Sequence, residues 1–115
     1  MITKEQLEFD STVIVVPHIF NKQEAPRLAF FVMVDTAMNN SSPDQEWKDT
    51  LLRVSAADDP YIWGYMFPAE LEPATPENLV RAMLNGCKGI TKELIENQKR
   101  KYEYKCISGL NRQRY

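Results

Sequence analysis

Residues 12–37 read TVIVVPHIFNKQEAPRLAFFVMVDTA, and the fold class turns on them. Val13, Ile14, Val15 and Val16 are β-branched and follow one another without polar interruption. Side chains on a strand alternate between its two faces, so an unbroken apolar run predicts a strand covered on both. Pro17 has no amide hydrogen for a ladder and marks a bulge, an edge or the end of the strand within 12–20. Residues 28–37, LAFFVMVDTA, form a second strand, with Asp35 and Thr36 marking its return to water. The polar NKQEAP at 21–26 joins the two. A parallel return needs a crossover of about a dozen residues or more, so these strands pair antiparallel.

Outward from this pair, Thr3 and Gln6 resemble a capping box for a short helix over 3–9. NNSSP at 39–43 is a break. Ser42 followed by Pro43 reads as a helix start, and Trp47, Leu51 and Val54 recur at helical spacing. The expectation is an amphipathic helix over 43–56, with a strand over 50–55 as the competing reading. Asp58-Asp59-Pro60 is a turn. YIWGYMF at 61–67 alternates as a third strand, with Tyr61, Trp63, Tyr65 and Phe67 on one face. Residues 68–76 read as a surface loop. Thr75-Pro76 opens a helix with the stripe Leu79, Val80, Met83, Leu84 and Cys87, and Asn85-Gly86 is a natural close. Residues 76–106 are one long helix or a broken pair, and a pair is expected because glycines interrupt them. The end, SGLNRQRY at 108–115, reads as a frayed or partner-ordered tail.

These elements predict one small α+β domain over 1–115. Its antiparallel sheet of about three strands packs against helices, with a C-terminal helical pair or long helix. The length of 115 residues suits a single domain that buries a core without staples. No apolar run reaches the roughly 18–20 residues that span a bilayer. MITKEQLEFD lacks a basic segment followed by an apolar one, so a cytoplasmic location without membrane association is expected. The two cysteines make no disulfide framework.

Charge is unevenly placed. Residues 1–87 carry six basic and thirteen acidic side chains, net −7, whereas 88–115 carry eight basic and three acidic ones, net +5. An acidic body with a basic end can associate head to tail, grip an acidic partner or neutralise itself within one fold.

Enzyme signatures are sparse. Cys87, Cys106 and His18 fall one ligand short of a structural zinc set, and no metal is expected. A Cys–His pair would need His18 within hydrogen-bond reach of a thiol, which no spacing demands. Cys87 lies on the apolar stripe and reads as a buried, inert thiol despite Lys88 beside it. Asp58, Asp59, Glu70, Glu72 and Asp35 are candidate acid–base carboxylates, but neighbouring acids in turns are explained by solvation and capping. GCKGIT at 86–91 lacks the glycine loop of a phosphate cradle, so no nucleotide cofactor is implied.

Two binding readings remain ahead of a small enzyme with a Cys–His or carboxylate site. The leading one is a non-enzymatic protein-interaction module, an inhibitor or assembly accessory protein of phage or bacterial kind. Trp47, Tyr61, Trp63 and Tyr65 are its anchors, because tryptophan and tyrosine dominate interface centres. Unpaired edges of a small sheet also suggest a homodimer. The alternative is a nucleic-acid-binding accessory protein. It would use Lys88, Lys92, Lys99, Arg100, Lys101, Tyr102, Tyr104, Lys105, Arg112 and Arg114 to hold phosphates and stack bases. Glu93, Glu96 and Glu103 and the acidic body oppose it. No motif places the chain in a family.

Overall fold

A computed structural model describes residues 1–16, 25–35, 39, 45–59 and 61–113, with side chains of the last helix described through Glu103. These residues form five strands and three α-helices, an α+β arrangement. Helix α1 (Lys4–Phe9) starts at the expected capping box, in which Gln6 N–H donates to Thr3 Oγ1 at 3.2 Å and Thr3 N–H to Gln6 Oε1 at 2.9 Å. Strands β1 (Thr12–Val15), β2 (Arg27–Val34), β3 (Leu52–Ala56), β4 (Trp63–Met66) and β5 (Leu71–Pro73) follow. Their order is β4-β3-β2-β1-β5, and every neighbouring pair is antiparallel.

The sheet must curl. A flat five-stranded sheet would hold its outer strands roughly 19 Å apart. Met66 closes β4 at one edge and Leu71 opens β5 at the other, joined only by 67–70 with a 3₁₀ turn at Pro68–Glu70. Such a link reaches only about 14 Å. The concave face therefore wraps a core of Val13, Ala29, Leu52, Val54 and Leu71, completed by Ile2 and by Leu7 of α1. Ile2 N–H donates to Pro68 O at 3.2 Å, which ties the N-terminal segment to the strand-to-strand link.

A second core lies on the opposite face of β1. Ile14 and Leu28 pack there with Ala74, Leu79, Ala82 and Cys87. Helices α2 (Pro76–Leu84) and α3 (Lys92–Gln113) supply its cover. β1 is thus buried from both sides, as its unbroken β-branched run requires.

Two expectations need correction. The helix expected over 43–56 is instead a 3₁₀ turn at Trp47–Asp49 followed by β3. Leu52, Val54 and Ala56 are buried while Arg53 and Ser55 between them are not, so the period is two. The Ser42-Pro43 start lies outside the described residues. The sheet has five strands rather than about three, because the helical spacing over 43–56 masks β3 and the prolines over 68–76 mask β5. β5 is three residues long, too short to show a period, and it exists because Val13–Val15 offer it a second ladder.

The helical pair is settled by glycine. Gly86 and Gly89 hold φ of 93° and 85°, the left-handed region that costs an L-residue most. Cys87 N–H donates to Ala82 O at 2.9 Å and Gly86 N–H to Met83 O at 3.1 Å, the two bonds of a Schellman close. Thr91 Oγ1 then accepts Leu94 N–H at 3.1 Å to start α3. The α3 backbone continues through Gln113 and so includes most of the expected tail.

Candidate functional site

The two helices cover the outside of the sheet only around Ile14 and Leu28. Farther along β2, β3 and β4, the outer face is open among the described residues. Register sets its composition. Phe30 sits opposite Ser55, which sits opposite Trp63; Met33, Arg53 and Tyr65 make the next row. A register shift between Phe31 and Met33 bulges β2 and leaves Val32 exposed beside them. Trp63 is 50% exposed, Phe30 43% and Met33 42%, so the patch offers apolar surface to solvent instead of consuming it.

The patch is also ordered. The Arg53 guanidinium lies 4.0 Å from the Trp63 ring centre. Trp63 and Tyr65 meet edge to face, their centres 5.7 Å apart. The Tyr65 hydroxyl donates to Asp35 Oδ2 at 2.8 Å, and that bond is the chief reason its pKa is raised. These contacts fix three aromatic or cationic side chains on paired strands before any partner arrives.

Of the four expected anchors, Trp63 and Tyr65 stand together here. Tyr61 is exposed in the turn just before β4. Trp47 lies elsewhere, half-buried against the concave core, with its indole N–H donating to Ile2 O at 2.8 Å. Sequence reasoning missed Phe30, Met33 and Arg53. The apolar run over 28–34 hides which of its members face outward, and Arg53 falls where a helix over 43–56 competes with a strand over 50–55.

The basic segment is divided. Lys101 Nζ pairs with Asp10 Oδ1 at 3.1 Å, and Tyr102 packs edge-on against Phe9 with ring centres 5.1 Å apart. Both side chains are engaged within the fold. Lys88, Lys92, Lys99 and Arg100 are exposed. The side chains of Tyr104, Lys105 and Arg112 and the whole of Arg114 lie outside the described residues.

Several of the candidate chemical groups are engaged within the fold. Burial pushes the Cys87 thiol up, and Sγ sits 3.6 Å from Lys88 O. Its thiolate is disfavoured. Asp59 Oδ1 accepts Tyr61 N–H at 3.0 Å, and Glu70 Oε2 accepts Phe67 N–H at 2.8 Å, so both acids secure turns. Glu72 is half-buried on β5 opposite Ile14. His18 and Cys106 lie outside the described residues. An open concavity of about 1040 Å³ is lined by apolar side chains such as Val15, Val54 and Met66, and at its rim by Arg27, Asp58, Glu70 and Lys88. Among the described residues no three side chains form a metal-binding group, and no helix is long and apolar enough to cross a membrane.

Comparison with protein-family models, with curated proteins and with solved structures finds no significant match.

Proposed function

We propose that the chain is a non-enzymatic protein-interaction module, an inhibitor or assembly accessory protein that docks its partner on the outer face of β2, β3 and β4. One observation carries this reading: Phe30, Met33, Trp63 and Tyr65 stand side by side on hydrogen-bonded strands and remain accessible, with Arg53 stacked among them. Tryptophan, tyrosine and arginine supply most interface hot spots, and rigid anchors lose little entropy on binding.

The partner's chemistry follows from charge. Residues 1–87 are net −7, and Asp35, Asp58 and Asp59 lie on or next to the strands that carry the face. The complement is a protein surface with an apolar centre and a lysine- or arginine-rich rim. The same acids oppose a polyanion. With Lys101 and Tyr102 engaged internally, the nucleic-acid alternative rests on fewer free groups.

The test is affinity capture of the tagged chain from its native cell extract, with and without nuclease, beside Phe30→Asp and the Arg53→Ala/Trp63→Ala pair. A basic protein retained after nuclease, and lost with both variants, is the expected outcome. Retention that vanishes with nuclease, and that depends on Lys99 and Arg100, would transfer the function to the basic segment.

A further inference from the structure

Residues 61–67, YIWGYMF, read alike in both directions about Gly64: aromatic, aliphatic, aromatic, glycine, aromatic, aliphatic, aromatic. This stretch contains β4, an edge strand of the sheet. Ala56 N–H donates to Ile62 O at 2.8 Å. Antiparallel pairs alternate between hydrogen-bonded and non-hydrogen-bonded, so Val54–Gly64 and Leu52–Met66 carry the β3–β4 bonds. The amides and carbonyls of Trp63 and Tyr65 then point away from β3. No described element pairs with them.

The two edges of the sheet are built differently. β5 carries Glu72 and Pro73, a charge and a residue without an amide hydrogen, both devices that discourage strand addition. Residues 61–67 carry neither a charge nor a proline. An uncharged open edge normally invites another strand.

We propose that β4 pairs antiparallel with β4 of a second copy of this chain, about a two-fold axis at Gly64. In this register Trp63 lies opposite Tyr65 of the other copy, and the four outward amide–carbonyl pairs close. Ile62 meets Met66, and Tyr61 meets Phe67. Gly64 faces its own copy in the close, non-hydrogen-bonded position, where absent side chains let the backbones approach. No like charges meet along the seam, although each body is acidic. The symmetric sequence makes a second copy a better complement than an arbitrary strand.

The interface is modest. Tyr61, Trp63 and Phe67 are 91%, 50% and 44% exposed. At about 150–250 Å² per ring, they offer roughly 300–450 Å² per protomer. A standard interface buries about 800 Å² per partner, so a weak, reversible dimer is expected.

Sedimentation of the full chain over a concentration series reads this directly. The intact chain should pass from monomer to dimer. Tyr65→Pro removes an outward N–H that the β3 ladder does not use, and should weaken the dimer at least tenfold while circular dichroism stays folded. Gly64→Cys in a Cys106→Ser background should form a disulfide-linked dimer on mild oxidation, because a Cβ at Gly64 meets nothing within 4 Å. Val80→Cys, exposed on α2, should not. A chain that remains monomeric up to about 1 mM overturns the proposal. So does a dimer that Tyr65→Pro leaves unchanged. Should the proline variant unfold, failure of Gly64→Cys to crosslink above the Val80→Cys control overturns it alone. Phe30→Asp separates this seam from the outer-face reading: it should abolish partner capture and leave dimerisation intact.

Discussion

Lys101 Nζ lies 3.1 Å from Asp10 Oδ1, joining residues 91 positions apart. Asp10 is buried at the end of α1, where it also accepts Thr12 N–H at 3.1 Å and a bond from the buried Gln98 amide. Gln98 in turn donates to Ala74 O at 2.8 Å. The Asp10 carboxylate thus pins α3 to the first helix, and the Gln98 amide extends the network to the loop before α2. Removing the carboxylate leaves one of the two Gln98 amide hydrogens without its acceptor and frees the Lys101 charge. Asp10→Ala should cost about 2–4 kcal/mol in urea unfolding. Lys101→Met should cost less, because its ammonium is partly solvated. A double-mutant cycle should show coupling between the two positions; strict additivity would mean that the pair only happens to be close.

The Tyr102 phenol sits beside this network, with its buried hydroxyl directed towards the Asp10 carboxylate but without a partner at full hydrogen-bonding distance among the described residues. Burial first, then the Asp10 carboxylate, push its pKa from 10.0 up to about 12. The folded chain therefore holds this proton more tightly than the unfolded chain. The resulting stability is fully present below about pH 10 and is lost as pH climbs towards 12. Tyr102→Phe removes this titration and the unpartnered hydroxyl together. It should match or exceed the intact chain at pH 8 and lose less stability between pH 10 and 12. Parallel decline of the two proteins across that window would exclude Tyr102 as a source of alkaline unfolding.

The sequence carried the double burial of β1 because four consecutive β-branched residues leave no polar face. It carried the caps at Thr3, Thr75 and Thr91 because short side chains before helical runs have few other roles. β3 was obscured because Leu51, Val54 and Trp47 mimic helical spacing, whereas the decisive alternation of Leu52, Val54 and Ala56 spans only five residues. β5 could not be read locally at all, since its pairing depends on a strand almost sixty residues earlier. At the candidate site, aromatic alternation singled out Trp63 and Tyr65. Phe30 and Arg53 became visible only once the register placed them beside β4.

Gly86 and Gly89 separate two helices whose apolar stripes are otherwise in phase. An alanine at φ of 93° or 85° crowds its own carbonyl. Each of Gly86→Ala and Gly89→Ala should cost about 1–2 kcal/mol. Gly86→Asn should cost less than Gly86→Ala, because asparagine tolerates the left-handed region. Equal costs would place the penalty in packing against neighbours instead of in backbone conformation.

Trp63 and Leu52 test whether surface and core are divided as described. Leu52 is fully buried within the concave core, so Leu52→Ala should lose about 2–5 kcal/mol through lost burial and a residual cavity. Trp63 leaves half its surface in water, and its defined contacts are the Arg53 stack and the Tyr65 edge. Trp63→Ala should therefore cost only about 1 kcal/mol in unfolding. Its effect should appear in partner capture, where loss of a half-exposed central ring reduces retention at least tenfold. If Trp63→Ala instead unfolds the chain as readily as Leu52→Ala, the indole is a core residue and the outer face cannot be the docking surface.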